Sequence, residues 1–146
     1  MEKQSVYSEL KKFKKKYPLT ISWRLKRHSK VVEEHLNPGE TIRYAFAAQK
    51  NDSPFEWFFT HIVILTNKRI LLASKRVLFG YLYSAITPDM FNDLTIKKGL
   101  IWGKIQIDTV KELVTLSNVQ CSALQEIETE ITEYMMEEKL KYPRQN

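Results

Sequence analysis

Residues 55–74 read FEWFFTHIVILTNKRILLAS. The run up to Thr66 is aromatic and β-branched, the composition of a strand. Thr66-Asn67-Lys68-Arg69 then supplies turn formers, and the apolar run resumes at Ile70. Two antiparallel strands, at 55–66 and 70–74, are therefore expected. The first is apolar on both faces: Phe55, Trp57, Phe59, Val63 and Leu65 share one, and Phe58, Ile62 and Ile64 share the other. Only one face can fill the core of its own sheet, so the second needs a cover. Either another layer of this chain or another subunit supplies it, which makes Trp57, Phe58, Ile62 and Ile64 interface candidates.

Moving outward, residues 41–48 form another strand-like run, separated from 55–66 by the loop formers Gln49-Lys50-Asn51-Asp52-Ser53-Pro54. Shorter strands are expected at 81–86, 94–98, 101–108 and 112–116, punctuated by Gly80, Pro88, Gly99 and Gly103. Seven short strands at this spacing predict an antiparallel sandwich or open barrel. Before them, Val6, Leu10, Phe13 and Tyr17 step by four, three and four, a helical stripe that Ser5 can cap and Pro18 ends. A second helix starts after Ser22, carries Leu25, His28, Val32, His35 and Leu36 on one face, and stops at Asn37-Pro38-Gly39. Residues 1–40 thus read as a helical hairpin that extends a domain at 41–142. After the strands, Leu124, Ile127, Ile131 and Tyr134/Met135 mark a long amphipathic helix, with Ser117 and Gln120 placed as a capping box at its start.

The 146 residues carry a net charge of +6, with 43% hydrophobic and 27% charged residues, which excludes disorder, collagen and disulfide scaffolds. The charge is uneven: +8 over residues 1–30, +1 over 31–120 and −3 over 121–146. The surplus is concentrated in Lys11, Lys12, Lys14, Lys15 and Lys16. Interleaved with Leu10, Phe13 and Tyr17, these make a basic amphipathic helix that suits an anionic lipid surface, or a solvated face that complements the acidic C-terminal helix. A second basic cluster, Lys68, Arg69, Lys75 and Arg76, gives further candidate binding residues; it flanks the third strand, its two ends some 20 Å apart at about 3.3 Å per residue. No secretory signal and no membrane-spanning stretch is read from the sequence, which places the chain in the cytoplasm.

Thr66-Asn67-Lys68-Arg69-Ile70-Leu71 resembles the turn between strands two and three of bacterial pleckstrin homology (PH) domains, and Leu36-Asn37-Pro38-Gly39-Glu40 resembles the opening that precedes their first strand. Ser74-Lys75-Arg76, Gly80-Tyr81 and the stretch from Lys98 to Ile105 are similar to the later strands. The resemblance spans roughly residues 36–140 and is similar in particular to the YokE-like subgroup. It implies a PH-like seven-stranded sandwich or open barrel with a C-terminal capping helix. It also implies a small binding or assembly module without catalysis, some relatives forming ring-shaped homo-oligomers. The eukaryotic inositol-phosphate motif has no counterpart here, since the first loop offers Lys50 followed by Asp52 and Glu56.

The chemistry-bearing residues agree with a non-enzyme. His28 and His35 lie two helical turns apart, too far to share a metal, and His61 sits mid-strand as a packing residue. Cys121 is the single cysteine, expected as a buried thiol. With four glycines in all, no phosphate loop is available, and no Gly-x-Ser-x-Gly occurs. No cofactor is indicated, and the spacing of basic and aromatic residues does not suit nucleic acid. The expected function is a non-enzymatic module acting through a protein partner or through self-association as a homo-oligomer. The second reading is attachment to anionic lipid at the inner membrane face through the lysine helix.

Overall fold

Ser5 opens the first helix, α1 (Val6–Lys16): its hydroxyl accepts the Ser8 amide while Ser8 Oγ accepts the Ser5 amide. Helix α2 (Leu25–His35) starts later than expected, because Arg24 turns the chain through a left-handed conformation (φ 57°) without a side-chain cap. The computed structural model describes residues 5–49, 60–75 and 80–141. Its strands are β1 (Ile42–Gln49), β2 (Thr60–Thr66), β3 (Ile70–Lys75), β4 (Tyr81–Ile86), β5 (Phe91–Lys98), β6 (Trp102–Thr109) and β7 (Leu113–Gln120), followed by α3 (Leu124–Lys141). All pairings are antiparallel, in the order β4-β3-β2-β1-β7-β6-β5. This is the expected seven-stranded fold with two helices before it and one after. Trp57, Phe58 and Arg76 lie outside the described residues.

The sheet curls because its two halves meet at one residue pair, Gln49 with Ser117. Inside the curl, Phe46, Val63, Leu65, Ile105, Ile107 and Leu116 pack against Leu124, Ile127, Ile131 and Tyr134 of α3. The outer face of β1–β3 forms a second core, where Ala45, Ile62, Ile64 and Leu71 meet Val6 and Leu10 of α1 and Val31 and Val32 of α2. Ile62 and Ile64 are fully buried there. They are core residues, and the reading of these two as subunit-contact candidates gives way: the helical hairpin is the cover that strand two requires.

Helix α1 serves both cores. Its first half covers the outer face, while Phe13 and Tyr17 reach into the curl, the Phe13 ring lying tilted at 6.0 Å from that of Phe46. The segment that follows closes the gap between the two halves of the sheet: the Ile21 amide donates to Asn118 O at 2.9 Å and the Gln120 amide to Thr20 Oγ1 at 2.9 Å.

Ser117 and Gln120 belong to β7, and Gln120 precedes the 3-10 turn without a side-chain capping bond. Ser117 Oγ donates to Gln49 O at 3.0 Å, and the chain enters α3 through a single 3-10 turn, Cys121–Ala123. Asn118 adopts φ 59°, and the β6–β7 register slips beside it. Asn tolerates this left-handed region far better than most side chains.

Candidate binding surfaces

The two motifs that carry the family resemblance interlock. The Glu40 side chain is fully buried and receives Arg69 Nε at 3.0 Å, Arg69 Nη2 at 3.0 Å, Thr66 Oγ1 at 2.5 Å and the Asn37 amide at 3.0 Å. Arg69 Nη2 also donates to His35 O, and Asn67 Oδ1 accepts the Thr41 amide. Burial pushes the Glu40 carboxyl up, but the donors from Arg69, Thr66 and Asn37 outweigh it and hold it down at about 2. Arg69, expected among the ligand-binding residues, is thus consumed as an internal brace. Lys68 is exposed on the turn, whereas Lys75 is half-buried at the far end of β3, its backbone bonded to His28 and Arg24.

The five lysines of α1 do not form one free basic face. Lys12 pairs with Glu9 at 3.1 Å, Lys14 is half-buried and donates to Thr20 O, and Lys16 pairs with Glu126 of α3 at 2.5 Å. Burial lowers the Lys14 pKa, while the hydrogen bond to Glu126 raises that of Lys16. Lys11 lies over the Tyr7 ring, and Lys15 faces solvent. The contact between α1 and α3 is the complementarity suggested by the opposite charges of the two chain ends.

A different surface presents apolar and basic groups together. The turn from β5 to β6 holds Leu100 fully exposed, Ile101 at 50% and Trp102 at 36% exposure, with Leu19 at 57% beside them. Its backbone is fixed from several directions. The Gly99 amide donates to Trp102 O, the Cys121 amide to Ile101 O, Cys121 Sγ approaches Gly99 O at 3.3 Å, and Trp102 Nε1 donates to Leu19 O at 2.7 Å. Lys97 and Lys104 face each other across the strands, and Lys98 opposes Gly103. Like charges placed directly opposite are unfavourable in a sheet. Sequence reasoning passed over these residues, although a Leu-Ile-Trp run inside a glycine-bounded turn, where polar residues belong, was the available signal. Cys121 is half-exposed here, not the buried thiol expected.

Between β2, β3 and β4 and the start of β7 lies a hollow of about 150 Å³ lined by His61, Leu72, Leu82, Ser84 and Glu112 among others. Its lining pairs one histidine, His61, with one carboxylate, Glu112, and includes no lysine or arginine among the described residues, a poor match for a phosphate. His28 is buried, its Nδ1 accepting the Lys75 amide at 2.8 Å, and His35 stacks on Tyr83 at 4.0 Å. Among the described residues no three His, Cys, Asp or Glu side chains gather in a way that could hold a metal ion, and no helix is long and apolar enough to cross a membrane.

The family described as Bacterial PH domain matches residues 36–133, and the chain belongs to it. A crystal structure of a pleckstrin homology domain from Shewanella amazonensis SB2B shares the fold, with a TM-score of 0.52 and 13% identity, covering 74% of this chain and 95% of that one. No curated protein matches the sequence significantly. Helices α1 and α2 precede the matched span.

Proposed function

We propose that the protein is a non-catalytic binding module that attaches to anionic lipid surfaces through the β5–β6 turn and Leu19, with residues 1–40 as an integral extension of a domain at 41–142. The YokE-like subgroup is its proposed place within the family, and the cytoplasmic face of a membrane its proposed site. One observation carries the reading: a rigidly held apolar turn ringed by Lys97, Lys98 and Lys104. Burying the exposed Leu100 in an acyl boundary contributes about 1.5–3 kcal/mol, and the half-exposed Ile101 about half as much. Each lysine near an anionic leaflet adds about 1 kcal/mol. Helix α1 is the weaker candidate, because Lys12, Lys14 and Lys16 already have partners within the chain. Self-association through the outer face of β2 loses its main support, since the hairpin covers that face. Protein contacts remain open to other surfaces.

Flotation with phosphatidylcholine vesicles, with and without phosphatidylserine, tests the proposal. The protein should float with the anionic vesicles, less so at raised salt. The variant L100S/I101S/K97Q/K98Q should stay at the bottom while K11Q/K12Q/K15Q still floats. Equal flotation of the turn variant and the unmodified protein would sink the reading.

A further inference from the structure

We infer that the groove between β5 and α3 docks a cationic amphipathic helix of a partner protein, a site separate from the lipid-facing turn. A hollow of about 220 Å³ lies between Phe91, Asp93 and Leu94 on the strand and Glu128, Met135 and Met136 on the helix. That is below the roughly 300 Å³ at which pockets for whole small molecules begin, and it suits one or two inserted side chains. Its floor is apolar: Phe91 and Leu94 pack on the core, Met135 is buried, and Met136 is 62% exposed. Methionines fill irregular gaps and adapt to varied partners, which is why they recur on docking surfaces.

The occupant follows from edge chemistry and charge. β5 is the last strand of the sheet, so its outer edge has no neighbouring strand among the described residues. Strand addition there is disfavoured, because Asp93 Oδ1 already accepts the Leu94 amide at 2.8 Å and the register slips between Phe91 and Asp93. Bulges and inward caps of this kind protect an edge from pairing. A ligand must then be read by its side chains, which is the helix-in-groove mode. Both rims are acidic, with Asp93 on one side and Glu128 on the other, and Asp89 stands in the short turn that precedes β5. Glu126 and Glu137 are engaged by Lys16 and Arg43 within the chain, whereas Glu128 makes no ion pair among the described residues. An apolar floor between carboxylates is complementary to a helix with an apolar stripe flanked by lysine or arginine.

The test uses the full chain in lipid-free buffer, so its outcome is independent of the lipid reading. A fluorescein-labelled Leu/Lys amphipathic peptide of about four turns is titrated by anisotropy, with a Leu/Glu peptide of identical pattern as control. Saturable binding of the Leu/Lys peptide is expected, with amide resonance changes centred on residues 91–94 and 128–136. The double variant Asp93→Asn, Glu128→Lys should bind about tenfold more weakly; Asn keeps an acceptor for the Leu94 amide. No binding, equal binding of the acidic control, resonance changes centred elsewhere, or unchanged affinity of the double variant would each overturn the proposal.

Discussion

His28 shows how a single buried ring ties the helical hairpin to the sheet and to pH. Burial, then the neighbouring charges of Arg24 and His61, lower its pKa to about 4 from an ordinary value near 6.5. The folded chain therefore refuses a proton that the unfolded chain accepts between those values. Stability contributed by the neutral ring is complete above about pH 6.5 and declines as pH falls toward 4, by about 3 kcal/mol in all. In His28→Gln the stability difference from the unmodified protein should shrink or reverse by that amount between pH 7 and pH 4, as measured by urea denaturation. Parallel curves for the two proteins would assign the acid sensitivity elsewhere. The Glu40–Arg69 brace was legible only in halves: Asn37-Pro38-Gly39-Glu40 and Thr66-Asn67-Lys68-Arg69 were each readable as turns. That one supplies the carboxylate and the other the guanidinium depends on a contact 29 residues apart in sequence, which turn chemistry does not encode.

At the level of elements, Gly103 fixes how closely α3 approaches the sheet. A Cβ at this position would run into the Leu124 side chain and lie 2.8 Å from Lys97 O. Gly103→Ala should thus lower stability by about 1–3 kcal/mol, as overpacking does, visible as a drop in the thermal midpoint. An unchanged midpoint would mean that α3 shifts freely on the sheet. The helices were legible because Val6, Leu10, Phe13 and Tyr17 keep a period that only a helix buries. The strands were legible from β-branched runs between breakers. The end of β7 was not, since Ser117 and Gln120 carry the spacing of a capping box while their partners, Gln49 and Thr20, lie in β1 and in the segment after α1. The candidate surfaces were harder still. A lysine-rich helix stands out in sequence, but which lysines are spent on Glu9, Thr20 and Glu126 is settled by tertiary packing alone.

Across the whole molecule, the hairpin is part of the folded unit by virtue of what it covers. Removing residues 1–40 would uncover Ile62, Ile64, Leu71 and Ala73, an apolar face in the middle of the sheet. The truncated chain should scatter light and bind a hydrophobic dye strongly. A soluble monomer with undisturbed circular dichroism would show that the family core stands alone. The seam between the sheet halves carries a further consequence, for the order in which the chain is made. Thr20 leaves the ribosome 100 residues ahead of Gln120, the strand residue it must meet. At about 5–20 residues per second, α1 waits on the order of 5–20 seconds with Phe13 and Tyr17 unable to reach the interior they complete. The five lysines interleaved with that stripe give it a charge of the kind that favours solubility while it waits.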